Sequence, residues 1–381
     1  GNEYIDYLLG SGPMLLGHAH PAVVSAVREQ LDQGSTFFLT NGAVVQLAEE
    51  VCKAMPCAEM VRFTTSGTDA TFQAMRVARA YRRRDKVLKF EGGFHGSSDY
   101  ALQSVTPSRP ADFPAPQASS AGIPKAIQET MLIAPFNDLD TTAGIIAKHH
   151  EELAGVIVEP MQRILTPVPG FLQGLREVTA RFGIPLIFDE VVTGFRFAYG
   201  GAQEFYGVTP DLAAIGKVVG GGYPLAAVCG RAEIMKAYDS GAVASDDFIP
   251  QIGTLNGNPI AAVAGLATLA ELRKPGTYQR LHQAGSRLRS ALQQTLDQAE
   301  IPAKVCGEDT VFDVYFTDKP ITTYRSTLGA NGALLRKLNR LLLDRGILKG
   351  GQKFYVSLAH TDADLDQTIA AIKDAVGHLQ S

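Results

Sequence analysis

The chain has 381 residues, 45% of them hydrophobic and 19% charged, with a formal net charge of −4. That length exceeds what one hydrophobic core ordinarily serves, so a large domain with a smaller companion is expected. The charge balance leaves no basic footprint for nucleic acid or an anionic membrane, and no apolar run reaches the ~20 residues of a membrane helix. The four cysteines (Cys52, Cys57, Cys229, Cys306) lack metal-ligand spacing, so no metal site is expected. They read as reduced thiols of a cytoplasmic protein. The start, "GNEYIDYLLG", has no initiator Met and no secretory leader, which leaves truncation, processing or excision from a longer protein open.

Residues 1–42 are expected to pack with a small domain or across a subunit boundary. A large domain then runs from 43 to 257. Its first helix, "AVVQLAEEVCKAM" (43–55), sets Val44, Leu47, Ala48, Val51 and Met55 on one stripe. Seven short strands follow: "MVRFTT" (60–65), "KVLKFEG" (86–92), "MLIAPF" (131–136), "GVIVEP" (155–160), "PLIFDEV" (185–191), "DLAAIG" (211–216) and "AAVCGR" (226–231). Several are continuous apolar runs, as strands covered on both faces should be. Helical patterns such as "GFLQGLREVTARFG" (170–183) lie between them. The expected fold is α/β, a mainly parallel seven-stranded sheet in an α/β/α domain. The stretch 106–124 holds five prolines and little periodicity, the marks of a lid or an unstructured loop. From 258 to 381, helices at 258–273, 276–298, 330–345 and from about 362 alternate with strands near 311–316 and 353–358, a smaller α+β domain.

Three strand ends carry chemistry. "TTSGTDA" (64–70) reads strand, turn, helix start, so Ser66, Gly67 and Thr68 form an anion cup of backbone amides, a hydroxyl and a helix dipole. Asp189 ends a second strand in "LIFDEVVTGFR", and Lys217 follows a third, ahead of Gly220, Gly221 and Gly222. In open parallel sheets ligands bind at these carboxyl ends. The three parts suit pyridoxal 5'-phosphate: a cup for the phosphate, a carboxylate for the ring nitrogen, and an amine that apolar burial can deprotonate for the aldehyde. Taken singly, an N-cap, a strand-capping acid and a solvated lysine are the plainer readings.

On "FDEVVTGFR", "GVTPDLAAIGKVVGGGYPLAAVCGR" and the flanking segments, the chain resembles fold-type I, class III pyridoxal-phosphate aminotransferases, in the glutamate-1-semialdehyde aminomutase branch. The resemblance covers essentially the whole chain. It implies that Lys217 forms the cofactor Schiff base and shuttles the substrate proton, while Asp189 pairs with the ring nitrogen. Val191 and Phe94 would pack on the two ring faces, and Gly67 and Thr68 would hold the phosphate. Thr254 would reach the phosphate of a neighbouring subunit, making a homodimer with active sites at its interface. Glu159 would lie near the ring hydroxyl. His95, beside Phe94, is included in the cofactor set, although a hydrogen-bonded structural histidine is the plainer reading of it and of His18. Arg196 reads as structural.

The substrate-facing pattern departs from the aminomutase branch. "SWGP" is here Gly10-Ser11-Gly12-Pro13, the stretch after "VEP" reads Met161-Gln162-Arg163-Ile164, and a substrate-facing glutamate aligns with Gln352. Arg163 is either a guanidinium clamp for a substrate carboxylate or an ordinary ion pair. Lys353 and Tyr355 fall near the expected rim without an assignable role. A retained cofactor set with an altered substrate shell points to transamination between a small-molecule amino donor and a carbonyl acceptor. The alternatives are the aminomutase or an epimerase of the family, an aminotransferase domain excised from a multidomain synthase acting on a carrier-bound β-keto chain, and a non-catalytic scaffold.

Overall fold

The computed structural model describes residues 1–379. After a short first strand, β1 (Ile5–Tyr7), come β2 (Met60–Thr64), β3 (Lys86–Phe90), β4 (Met131–Ala134), β5 (Leu153–Val158), β6 (Leu186–Glu190), β7 (Leu212–Ile215) and β8 (Ala226–Gly230). These last seven form one sheet in the order β2-β8-β7-β6-β5-β3-β4. The β3, β4, β5, β6 and β7 pairings are parallel, and β8 runs antiparallel to both of its neighbours. Every residue of β5 and β7 is buried, which their unbroken apolar sequences require. The helix Gly67–Arg82 lays Ala70, Ala74, Met75, Val77 and Ala78 on the sheet. Small side chains permit the approach: a methyl added to Gly155 of β5 would lie 3.3 Å from Ala78 Cβ.

The chain divides into two compact units. The larger comprises Pro21–Gln162 and Pro167–Ala270; the smaller comprises Gly1–His20, Arg163–Thr166 and the chain from Glu271 onward. Residues 21–42 and 258–270, which the sequence pattern groups with the terminal segments, therefore belong with the larger unit. The reason is visible in the helix Pro259–Leu272. A methyl on Gly265 would lie 2.2 Å from the Val219 carbonyl oxygen, and one on Gly221 (φ +57°) 2.5 Å from that of Ala264. Helix backbone thus presses directly on the turn that follows Lys217, and periodicity alone does not reveal that partner.

In the smaller unit β9 (Lys304–Glu308), β10 (Val311–Tyr315) and β12 (Phe354–Tyr355) form an antiparallel sheet, while β1 pairs with β11 (Ile347–Lys349). The helices Thr277–Gln298, Gly332–Asp344 and Asp362–Gly377 accompany them. Lys349 and Asp313 make an ion pair of 2.7 Å, each side chain 1% exposed. His360 is held as the neutral Nε2–H tautomer: Nδ1 accepts from the Ser357 amide (3.2 Å) and Nε2 donates to the Asp6 carbonyl (3.1 Å). Burial pushes its pKa below the ordinary value.

Two outcomes are expected. Gly265→Ala should cost about 1–3 kcal/mol through overpacking, read as a lower denaturant midpoint, and it should loosen the Lys217 turn. The unfolded chain takes up a proton at His360 at a higher pH than the folded one does. Its contribution is therefore complete above the unfolded pKa and is lost as pH falls through the folded one. Thermal melts should weaken on acidification from neutrality, and His360→Asn should remove part of that slope.

Candidate active site

The carboxyl ends of the sheet bring four loops together in the larger unit. Register sets Asp189 beside Ala214 and Glu190 beside Ile215, so Asp189 and Lys217 emerge from adjacent strands. Lys217 opens a short 3-10 turn, is half-buried, and holds φ 51°. A long side chain in the left-handed region is disfavoured by roughly 1–3 kcal/mol, and such outliers concentrate at functional sites. Gly216 precedes it. A methyl at Gly216 would lie 3.3 Å from Val191 Cγ1, and one at Gly67 2.8 Å from the same atom. Val191 is thus flanked by bare backbone from the Ser66–Thr68 turn and from the Lys217 turn.

Asp189 is 6% exposed and has both oxygens engaged. Oδ2 receives a hydrogen bond from His95 Nδ1 (2.8 Å), and Oδ1 one from the Val191 amide (3.1 Å). His95 is anchored in turn, because its carbonyl accepts from Thr71 Oγ1 (2.6 Å) on the cup helix. The Phe94 amide donates to Glu159 Oε2 (3.0 Å), so Glu159, 8% exposed, steadies the backbone of the aromatic residue. The Phe94 side chain itself is 41% exposed. Ser66 caps the helix, its hydroxyl accepting from the Asp69 amide (3.2 Å) and donating to Asp69 Oδ2 (2.9 Å). The first-turn amides of Gly67 and Thr68 have no intrahelical acceptor. Thr68 Oγ1 accepts from the Ser97 amide (3.2 Å), and Gly96 (φ +89°) must be glycine because a methyl there would lie 2.6 Å from that oxygen.

Other sequence candidates fall elsewhere. Thr254 sits on an exposed segment of the larger unit, lining a groove with Phe37, Phe38 and Ile252. Ser11, Arg163 and Gln352 belong to the smaller unit. Ser11 is exposed, next to Gly12, whose α-carbon abuts the Tyr355 ring. Gln352 lies on an exposed turn held by Lys349 Nζ to the Gly350 carbonyl (3.1 Å) and Asn339 Nδ2 to that of Gly351 (3.0 Å). Arg163 (φ 62°) acts electrostatically on Tyr315. Arg196 is fully buried, and His18 pairs with Asp6 (3.0 Å). The proline-rich stretch is pinned rather than loose: Ile133 of β4 donates to the Pro114 carbonyl (3.0 Å), Ser104 to that of Gln117 (2.6 Å) and Ser119 to that of Leu102 (2.9 Å).

Three buried residues have roles that sequence reasoning did not assign. Lys89, fully buried, donates to the carbonyls of Gly93 (2.9 Å), Ala101 (3.0 Å) and Gln103 (2.5 Å) and so gathers the loop bearing Phe94 and His95. Glu190 accepts from the Ala202 amide (2.6 Å) and Thr193 Oγ1 (2.8 Å), and burial pushes its carboxyl up to about 7. Gln162, 1% exposed, donates to the Glu91 carbonyl (2.7 Å). A charged residue in an apolar strand was the available clue for Lys89. Glu190 carried none, and Gln162 drew notice only as part of the departing 161–164 stretch.

The residues fit pyridoxal phosphate. Bare α-carbons flank Val191 where a Cβ would intrude, helix amides face the cup, and a shielded carboxylate with fixed orientation stands beside the Lys217 strand. Gly67→Ala should therefore lower cofactor affinity about tenfold or more, the equivalent of ~1.4 kcal/mol, with the far-ultraviolet dichroism unchanged; equilibrium dialysis of the cofactor reads it.

Comparisons with known proteins agree with this geometry. A glutamate-1-semialdehyde 2,1-aminomutase of Roseiflexus castenholzii is 41% identical over 388 residues, covering 100% of this chain and 87% of that protein. An omega-transaminase from Sphaerobacter thermophilus superposes with a TM-score of 0.95 at 35% identity, covering 100% of this chain and 88% of that one. A transaminase with pyridoxal phosphate bound superposes with a TM-score of 0.90 at 29% identity, covering 100% and 87%. The class III aminotransferase family model matches residues 1–376. With the sheet, the cofactor cradle and these relatives in agreement, the chain belongs to the class III aminotransferases, a pyridoxal-phosphate-dependent family of fold type I.

Proposed function

We propose that this enzyme moves an amino group from an amino donor to a separate carbonyl acceptor. The observation that carries the reading is the emergence of Lys217 and the shielded Asp189 carboxylate from adjacent strand ends. Pyridoxal phosphate, when bound, supplies an aldehyde that captures amines and a protonated ring that withdraws electrons from the substrate carbon. The chain does the rest. Lys217 Nζ would take up the proton that leaves the amine-bearing carbon of the donor and give it back in the same turnover. Asp189, kept in place by His95 and the Val191 amide, would hold the ring nitrogen. Val191 and Phe94 would bound the ring, and the Gly67 and Thr68 amides would take the phosphate.

A homodimer completes the site, with Thr254 serving the neighbouring subunit's phosphate. In support, Phe37 (49%), Phe38 (67%), Leu39 (78%) and Ile252 (77%) expose an apolar surface around the Thr254 segment, which a second copy of the chain would bury. Ser11, Arg163 and Gln352 are the substrate-facing residues of this proposal, with the Arg163 guanidinium taking a carboxylate.

Transamination is favoured over the internal amino shift because the aminomutase wording is absent at Ser11, at residues 161–164 and at Gln352, while an omega-transaminase superposes closely. The second reading, glutamate-1-semialdehyde aminomutase, is favoured by the name of a 41%-identical relative. One pair of assays separates them. The cofactor-loaded enzyme mixed with a panel of α-, β- and ω-amino acids should lose the absorbance of lysine-bound cofactor with one class of donor and recover it on adding a keto or aldehyde acceptor. Lys217→Ala should show neither change. Product formed from glutamate 1-semialdehyde alone, without donor or acceptor, would establish the aminomutase instead.

A further inference from the structure

Two buried polar atoms of the larger unit lack a hydrogen-bond partner at the same place: His95 Nε2 and Gln162 Oε1. Each residue is 1% exposed. Both atoms face the bare α-carbon of Gly93, where an added methyl would lie 3.2 Å from Nε2, 3.4 Å from Oε1 and 3.0 Å from the Phe90 carbonyl oxygen. The far ends of both side chains are fixed. Gln162 Nε2 donates to the Glu91 carbonyl (2.7 Å), which turns Oε1 toward the imidazole, and His95 Nδ1 meets Asp189 Oδ2 at 2.8 Å.

Donor and acceptor roles then follow. A carboxylate only accepts, so Nδ1 carries a hydrogen, and in the neutral imidazole this leaves Nε2 as an acceptor. Gln162 Oε1 is an acceptor too, whereas the Phe90 carbonyl beside them already accepts from the Gly93 amide (3.0 Å). Neither Nε2 nor Oε1 supplies a hydrogen to the other. Buried acceptors without a donor are rare in native proteins, and a single water with two hydrogens is the smallest group that satisfies two of them.

We propose that one water is built into the fold beside Gly93, donating to His95 Nε2 and Gln162 Oε1. Through it Gln162 acts as a positioning residue for Asp189. The sequence Gln162–water–His95–Asp189 holds the imidazole in its Nδ1–H tautomer, so the carboxylate stays an unprotonated acceptor of fixed orientation. Gln162 lies in the stretch where this chain departs from the aminomutase wording, which ties that departure to the ring-nitrogen partner. The water site stands on geometry alone; the positioning role rests on the function proposed above.

The test begins with the cofactor-free protein labelled with ¹⁵N-histidine, the His95 ring signals being identified by their loss in His95→Asn. Wild-type protein should show hydrogen on Nδ1 and none on Nε2. Gly93→Ala brings a methyl within 3.2 Å of Nε2 and 3.4 Å of Oε1, crowding the water without removing a polar atom, and Gln162→Leu removes one of its acceptors. Both should lose the sharp Nδ1–H signal while melting cooperatively. A wild-type ring with hydrogen on Nε2 alone overturns the proposal whether or not the variants fold, and so does a wild-type pattern in either folded variant. In the cofactor-loaded protein, Gln162→Leu should shift the pH midpoint of the lysine-bound cofactor absorbance by about half a unit or more. An unmoved midpoint overturns the positioning role. Failure to bind cofactor at all would instead count against the function, leaving the water site to the nuclear resonance result.

Discussion

The hydrogen bond between His95 Nδ1 and Asp189 Oδ2, 2.8 Å long and shielded from solvent, is the contact around which the larger unit is arranged. In the function proposed above this carboxylate would face a cationic ring, so it has to be shielded from water and yet kept from rotating away. Burial without hydrogen-bond partners is costly for any carboxylate. Here one oxygen meets the imidazole and the other the Val191 amide. The cup helix reaches the same pair, because Thr71 of its second turn holds the His95 carbonyl. The helix that follows the Ser66–Thr68 turn, Asp189 and the Phe94–His95 loop are therefore parts of one hydrogen-bonded assembly, spread over residues far apart in sequence.

That assembly is repeated in kind elsewhere. Lys89 and Glu190 are fully buried, and each is solvated by the backbone of a loop. Lys89 collects three carbonyls below the Phe94–His95 segment, and Glu190 collects amides at the start of the helix Gly201–Tyr206. A buried ionisable group held this way stabilises little in net terms, but it leaves the loop a single well-satisfied conformation. Loops that must present a ring face and a carboxylate to within fractions of an ångström gain from that restriction.

The sheet was legible in the sequence because strands covered on both faces read as unbroken apolar runs, and their ends announce where a ligand binds. Asp189, Lys217 and the Ser66–Thr68 turn stood out for that reason. The His95–Asp189 contact did not, since 94 residues separate its partners and nothing local to either one names the other. The helix Pro259–Leu272 was recognised as a helix but grouped with the wrong segment, because an almost wholly apolar stripe does not name the surface it covers. Met161 and Ile164, which looked like part of a substrate segment, are each 2% exposed and serve the core. Prolines in 106–124 suggested mobility, whereas main-chain bonds to β4 and to the 102–105 stretch fasten it.

The bare α-carbons at Gly67 and Gly216 have an evolutionary corollary. Because Val191 lies 2.8 Å and 3.3 Å from where their first side-chain atoms would stand, a side chain at either position has to push Val191 aside. Diversification is thereby channelled to other positions. One scaffold can exchange its clientele over evolutionary time while its prosthetic chemistry stays frozen, and a directed-evolution library would be wasted on these two codons.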